Sequence, residues 1–371
     1  MIALAALSLL VWLFLLLAHG RFWQSGPELA PSRLTAAPPV TVVVPARDEA
    51  PLIGGTLRSL LAQDYPGNLR VIMVDDASSD GTGAIARALD DRRLMVLAGE
   101  PRPAGWSGKL WAVAQGVAEA GPADFILLTD ADIVHDPRHV ATLVAEAERG
   151  DLDMVSEMVA LACESPAERA LVPAFVFFFQ LLYPFARVND PLSATAAAAG
   201  GTILIRRRAL QRIGGIAAVR GALIDDVALA EAVKRGGRIW LGHSGLARSV
   251  RAYPTAGDIW RMVARTAYVQ LRFSPLLLLG TVFAMTLTFL VPPFAALATH
   301  GPARWLGWLA WGAMAAAYQP TLHRYGRSVL WAPLLPLVAA FYMAATLGSA
   351  VNHYLGRGVA WKGRAYQGAG P

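Results

Sequence analysis

A single cysteine, Cys163, occurs in 371 residues, so neither an intramolecular disulfide nor a cysteine-based zinc site is available to this chain. A lone cysteine is ordinarily a buried, inert small residue, and Cys163 is read that way. Charge is scarce as well. Asp, Glu, Lys and Arg make up 16% of the residues, against about 25% in soluble domains, and the mean hydropathy is +0.42. Part of the chain therefore belongs in lipid. The first β-prone run is not followed by G-x-G-x-x-G, which disfavours a dinucleotide fold, and Gly108–Lys109 is followed by Leu110 rather than the Ser or Thr of a phosphate loop. The net charge of +6 is dispersed and forms no nucleic-acid module, so DNA and RNA are discounted as partners. For a membrane-attached chain it suits anionic headgroups and phosphorylated substrates.

The apolar material lies at the two ends. Ile2 to Ala18 carries no charge, has no basic residues before it and no small-x-small cleavage pattern before Gly20. Residues 1–20 are read as an uncleaved transmembrane anchor, near the lower length limit of about 17 residues. Arg21 and Arg33 follow, which places the downstream domain in the cytoplasm by the positive-inside rule. A C-terminal membrane region is expected over 275–352, in three pieces: Leu276–Ala298, Trp305–Tyr318 and Leu330–Val351. Pro292–Pro293 should kink the first piece, and the second is short. An even number of crossings leaves the basic tail, 353–371 with Arg357, Lys362 and Arg364, inside; an odd number leaves it outside.

Between these blocks, after a Pro/Ala-rich linker over 31–39, strand-like and helix-like runs alternate. Val40–Pro45, Arg70–Val74, Leu94–Leu97 and Phe125–Thr129 are short, apolar and β-prone. Helices are expected over Pro51–Gln63, Gly83–Leu89, Lys109–Glu119 and Arg138–Glu148. Such alternation predicts an α/β fold with a doubly wound, mostly parallel sheet and right-handed crossovers.

Three acidic clusters stand out: Asp75–Asp76 in VIMVDDASSDGT, Asp130 and Asp132 in FILLTDADIVHDP, and Asp225–Asp226 in LIDDVALA. One Asp after a strand can simply cap the next helix. Three such clusters put enough negative charge near the strand ends, where open α/β sheets bind ligands, to suggest a divalent metal or a proton transfer.

The order TVVVPARDEA, VDDASSDGT, GWSGKLWAVAQG, TDAD, AAGGTILIRRRALQRIGG and IDDVALAEAVKRGG resembles the family 2 glycosyltransferases, with the GT-A nucleotide-sugar-binding fold, over residues 40 to about 270. The segment Pro45–Glu49 ends the first strand, where backbone groups can meet a nucleobase and Arg47 a phosphate. Asp75 and Asp76 can accept hydrogen bonds from a uracil-like N–H and from ribose hydroxyls. Alternation along the extended chain gives Asp130 and Asp132 the same face. The resemblance implies that Asp130 meets the ribose side and that Asp132 ligates the metal, Mn²⁺ or Mg²⁺. Lys109 adds a positive charge near the phosphates or donor sugar, although a lysine at a helix start can also be merely solvated. Gly200–Gly201 lets the backbone approach donor or acceptor, because no side chain intervenes. The family pattern Glu-Asp reads here Asp225–Asp226, so the general base maps to Asp226, which can also cap the helix Val227–Lys234. His135 and His243 are left out as ordinary structural histidines.

Membrane members of the family often carry Gln-x-x-Arg-Trp. Here the stretch reads Met262-x-x-Arg265-Thr266, so only the arginine remains, able to pair with a diphosphate. Without the tryptophan, a processive synthase is disfavoured. LVPAFVFFFQLLYPFA, over 171–186, reads as a helix in the plane of the headgroups, bringing Asp226 near the bilayer; a buried core helix is the alternative. That segment, the GWSGKLWA turn and VAWKGRAY (Val359–Tyr366) most resemble the bacterial hopanoid-biosynthesis-associated glycosyltransferases. The resemblance implies an inverting enzyme of the inner membrane, multi-pass, with its catalytic domain facing the cytoplasm. It would move one sugar from a nucleotide-diphosphate donor, UDP-linked, to a lipid hydroxyl, hopanoid-like on the narrower match. A polyprenyl-phosphate acceptor and a non-catalytic scaffold are the competing readings.

Overall fold

A computed structural model describes residues 1–356 and the backbone of two short paired strands, Ala360–Trp361 and Arg364–Ala365. Most of the basic tail, including Arg357 and Lys362, lies outside the described residues. The chain forms two compact units. One comprises 27–162, 187–251 and the two short paired strands; the other comprises 1–26, 163–186 and 252–356.

The first unit is built on eight strands: β1 (Val40–Ala46), β2 (Leu69–Asp75), β3 (Leu94–Ala98), β4 (Phe125–Thr129), β5 (Ile133–His135), β6 (Met154–Ala160), β7 (Thr202–Arg206) and β8 (Ile239–Ser249). They lie in the order β3-β2-β1-β4-β7-β6-β8-β5. The expected strands and helices up to residue 149 are present, with ends moved by one or two residues, as helix fraying allows. The β3-β2-β1-β4 half is parallel throughout. The other half mixes directions: β7 is antiparallel to both β4 and β6, β5 is antiparallel to β8, and β6 is parallel to β8. The sheet is therefore mixed rather than mostly parallel. Strands β5 to β8 are not among the strands expected from the sequence, although helices separate β5 from β6, β6 from β7 and β7 from β8.

Side-chain alternation along β2 explains why helices cover both faces. Val71 and Met73 pack with Ile53, Leu57 and Leu60 of helix Ala50–Leu61 and with Leu143 and Val144 of helix His139–Arg149. Ile72 and Val74 face the other way, onto Ala112 of helix Gly108–Ala118. Each fully buried Val, Ile or Leu here contributes about 1.5–3 kcal/mol. That helix approaches closely because Gly116 has no side chain: a Cβ there would lie 2.5 Å from Val43 Cγ1. From β1 the chain winds outward to β2 and β3, then returns to β4 on the other side of β1. The carboxyl ends of β1, β2 and β4 consequently open a crevice at a switch point.

The second unit is helical. Helix Ile2–Leu17, at 16 residues, falls just short of the length usual for a span. Its Trp12 is fully buried and donates from Nε1 to the Thr288 carbonyl at 2.7 Å. Among the described residues, two stretches are long and apolar enough to cross a membrane, Pro275–Ala298 and Val329–Tyr354, with mean hydropathies of 1.9 and 1.8. The first contains a π-helical turn, Thr286–Leu290, just before Pro292–Pro293, which accommodates the expected kink. The second expected piece, Trp305–Tyr318, lies within a longer helix, Pro302–Arg324, carrying Arg304, His323 and Arg324. The apolar segment 171–186 also belongs to this unit. It forms helix Pro166–Leu182, opened by a capping box between Ser165 and Glu168 and ended before Pro184. Phe177 is buried there against Phe22 and Tyr318, and the Leu171 carbonyl accepts from the Tyr342 hydroxyl at 2.9 Å. One face of this helix is thus core, and Leu182 at its end is exposed. Cys163 is half-buried, not buried, with its thiol directed to the Glu168 carbonyl.

Candidate active site

The ends of β1 and β2 are tied together first. The Asp76 N–H donates to the Ala46 carbonyl at 2.9 Å, and Arg47 donates from Nη1 to the Asp76 carbonyl at 2.5 Å. The same guanidinium stands 3.7 Å from the Asp76 carboxylate, which is 3% exposed. Asp75 accepts from the Ser78 N–H at 3.0 Å and so bends the chain after β2. Further along this loop, Asp80 accepts from the Ala50 N–H at 2.9 Å and Thr82 Oγ1 from the Glu49 N–H at 2.8 Å. These bonds satisfy orphan donors at the start of helix Ala50–Leu61 and fix Glu49 over the crevice.

The second part of the site gathers at the end of β4. Ser107 caps helix Gly108–Ala118 by accepting from the Leu110 N–H, which sets Lys109 on the first turn. Lys109 Nζ lies 2.9 Å from Asp130 Oδ1 and 3.4 Å from Asp225 Oδ2. It joins the second acidic cluster to the third. Asp226 follows on the first turn of helix Asp225–Lys234 and accepts from the Val227 N–H at 2.8 Å through Oδ1. Its Oδ2 faces Gly200, where an added Cβ would lie only 3.1 Å away. Pro45, Lys109, Asp130, Gly200, Asp225 and Asp226 line one pocket, floored by Leu110, Val113 and Ile203.

Three carboxylates here share one ammonium, and the pocket's electrostatics follow. Burial works against charge on Lys109, but Asp130 and Asp225 outweigh it and hold its pKa above the ordinary lysine value. Burial raises Asp130, and Lys109 opposes that rise only in part. Burial and then the neighbouring Asp225 push Asp226 from 3.8 up to about 7. A carboxyl so placed exchanges a proton near neutrality, as a general base must.

Asp132, 9% exposed, points to a different partner. Its Oδ2 accepts from Arg251 Nε at 2.8 Å and from Ser249 Oγ at 3.3 Å. Arg251 Nη2 in turn donates to Glu49 Oε1 at 2.6 Å. These bonds occupy one oxygen each on Asp132 and, through Lys109, on Asp130. Hard carboxylate oxygens suit Mg²⁺ or Mn²⁺, and two carboxylates are the protein share of an ion that takes its other ligands from phosphates and water. Asp132 and Asp130 therefore fit such an ion; a closed cage of three or more His, Cys, Asp or Glu is not found among the described residues.

Residues 41–214 match the family model for Glycosyl transferase family 2; of these, 163–186 belong to the helical unit and the rest to the unit that carries the sheet. Over that stretch the chain is similar to the family 2 glycosyltransferases. It is 26% identical over 224 residues to the probable glycosyltransferase YdaM of Bacillus subtilis, covering 59% of this chain and 50% of that one. It is 34% identical over 94 residues to the 4,4'-diaponeurosporenoate glycosyltransferase of Staphylococcus aureus, covering 25% and 24%. The chain thus spans half the length or less of these curated relatives. Among solved structures, the mannosyltransferase PcManGT of Pyrobaculum calidifontis, solved with GDP-Man and Mn²⁺, superposes with a TM-score of 0.58 at 21% identity, covering 96% of this chain and 100% of that one. That likeness shows the fold.

Within the sheet unit, the structure brings Pro45, Lys109, Asp130 and Asp226 to one pocket, and Arg47, Asp75 and Asp76 to the adjoining ends of β1 and β2. Gly201 is placed differently from its neighbour. Gly200 faces the pocket, whereas the Gly201 carbonyl accepts from Thr129 Oγ1 at 2.9 Å and a Cβ on Gly201 would meet Val159. Arg265 lies in the helical unit, exposed at the end of helix Ala256–Ala264. Sequence reasoning missed Arg251, which sits in none of the motifs, and the partnership of Asp225 with Lys109, which joins two motifs far apart in the chain. His135, left aside, is buried between Thr129 and His139, with its pKa driven down by burial.

Proposed function

We propose that this chain is a membrane-attached, inverting glycosyltransferase that moves one sugar from a nucleotide-diphosphate donor to the hydroxyl of a lipid. The observation that carries the reading is the Asp226 carboxyl, pushed to about 7 and facing Gly200 across the pocket that Lys109 and Asp130 enter. Asp226 takes the proton of the acceptor hydroxyl as its oxygen attacks the anomeric carbon; the nucleoside diphosphate departs from the opposite face, which inverts the centre. Asp75 and Asp76 hold the nucleoside, UDP-linked in this reading, and Arg47 stands beside them for phosphate. Gly200 leaves room for the reacting sugar. Lys109 keeps Asp130 and Asp225 from repelling an anionic donor. A divalent ion held by Asp132 and Asp130 would neutralise charge on the leaving diphosphate when bound.

A lipid acceptor is supported by the relative named for 4,4'-diaponeurosporenoate and by the two stretches apolar enough to cross a membrane. A hopanoid-type alcohol is the narrower proposal. In this reading the terminal helices anchor the chain in the inner membrane and the domain over 40–270 faces the cytoplasm. The test uses the full chain in detergent with radiolabelled UDP- and GDP-sugars and a bacterial lipid extract containing hopanoid alcohols. One labelled glycolipid, formed by the wild type and lost in Asp226→Asn, is expected. Transfer to a polyprenyl phosphate, with near-normal activity of Asp226→Asn, would replace a hydroxyl acceptor by one that needs no base.

A further inference from the structure

Arg251 ties together two carboxylates from distant parts of the chain: Asp132 Oδ2 at 2.8 Å and Glu49 Oε1 at 2.6 Å. Both are nearly excluded from solvent, Asp132 at 9% and Glu49 at 6% exposure, so this guanidinium compensates two buried anions. The arrangement is pinned from both sides. Ser249 Oγ touches the Asp132 carboxylate, and the Val250 N–H donates to the Asp132 carbonyl at 2.9 Å. A dication approaching the remaining oxygen of Asp132 meets a positive charge already seated on that carboxylate.

We infer that Arg251 is a built-in counter-cation that holds Asp132 closed to metal until a nucleoside diphosphate gives the guanidinium another anion to bind. The inference rests on the reading of Asp132 as a metal ligand. A diphosphate offers a guanidinium a bidentate partner at least as good as a carboxylate. Once Arg251 turns to it, Asp132 is released, and metal and donor enter together. By linkage, nucleotide then tightens metal binding, and metal tightens nucleotide binding by the same factor. Direct ligation of the ion by the diphosphate couples the two ligands in any case; a purely structural ion pair, tying the end of β1 to the end of β8, would leave nucleotide-free metal affinity no higher once the guanidinium is removed.

The test is Mn²⁺ binding, followed by electron paramagnetic resonance of the free ion, to the full chain in detergent with and without UDP or GDP. Wild type should bind Mn²⁺ weakly alone and at least about tenfold more tightly with the nucleotide it recognises. Arg251→Met should bind Mn²⁺ alone at least about tenfold more tightly than wild type, with a smaller further gain from nucleotide than wild type shows, because the competing charge is gone and only direct ligation by the diphosphate remains. Arg251→Lys, which keeps the charge, should stay weak without nucleotide. If Arg251→Met does not fold, Arg251→Gln, uncharged and still able to donate, is read by the same titration. Nucleotide-free Mn²⁺ affinity equal to or below that of wild type in the folded neutral variant overturns the inference and leaves the metal reading intact. Absence of Mn²⁺ binding to wild type with either nucleotide overturns the metal reading itself, and this inference with it.

Discussion

Replacing Asp226 by Asn should damage activity and improve stability together. On the activity side, a positioned general base contributes about 10²- to 10⁴-fold, and the amide cannot accept the acceptor proton. Because the carboxyl titrates at about 7, wild-type kcat/KM should also climb about tenfold between roughly pH 6 and 8 as the base ionises. On the stability side, the folded chain holds a proton on Asp226 that the unfolded chain, with its pKa near 3.8, has already released. The folded state therefore loses stability as pH rises through the window from about 4 to about 7, and the penalty is complete above it. Carrying a carboxyl from 3.8 to about 7 corresponds to roughly 4 kcal/mol. Asp226 is only partly buried in a pocket open to solvent, and its neighbours share the charge, so about 1–2 kcal/mol is the expected net effect. An isosteric Asn carries no such penalty. Thermal unfolding followed by dye fluorescence in detergent should show Asp226→Asn melting a few degrees above wild type at pH 8, at about 2–4 °C per kcal/mol, with the difference vanishing near pH 4. A variant with wild-type turnover removes Asp226 from the role of base. A variant whose melting difference is the same at both pH values removes the raised pKa.

Lys109→Met should leave Asp130 and Asp225 without their shared cation, raise the donor KM by about tenfold or more, and move the pH–activity limb of Asp226 upward, since the ammonium lowers that carboxyl. Steady-state kinetics across pH reads both effects, and an unshifted limb would count against the coupling. Gly200→Ala puts a methyl 3.1 Å from Asp226 Oδ2, so kcat should fall about tenfold while donor affinity, measured by calorimetry, holds. Gly116→Ala drives a methyl to within 2.5 Å of Val43 Cγ1 and should destabilise the domain by about 1–3 kcal/mol in thermal unfolding, far from the chemistry.

The alternation of apolar runs and helix-period runs up to residue 149, and the three acidic clusters with their neighbours, were legible directly. Local periodicity reports which face of an element is buried, and a strand ending in Asp-Asp or Asp-Ala-Asp reports where charge meets the crevice. Only the tertiary structure decided the rest. Arg251 reaches Asp132 across 119 residues and Glu49 across 202, so its pairing depends on which strand ends meet, a fact that no local pattern contains. The same holds for Lys109 between Asp130 and Asp225, and for the mixed directions of β7, β6, β8 and β5. It also holds for 163–186, which groups with the terminal helices although it sits between the second and third acidic motifs in sequence. Two adjacent glycines, alike as letters, were separated by a single backbone turn: Gly200 opens onto Asp226, while the Gly201 carbonyl secures Thr129. The sequence by itself determined which chemistry this protein carries, because residue type and local period suffice for that; the contacts that set the charge state of each carboxylate were decided by the fold, because they join residues far apart along the chain.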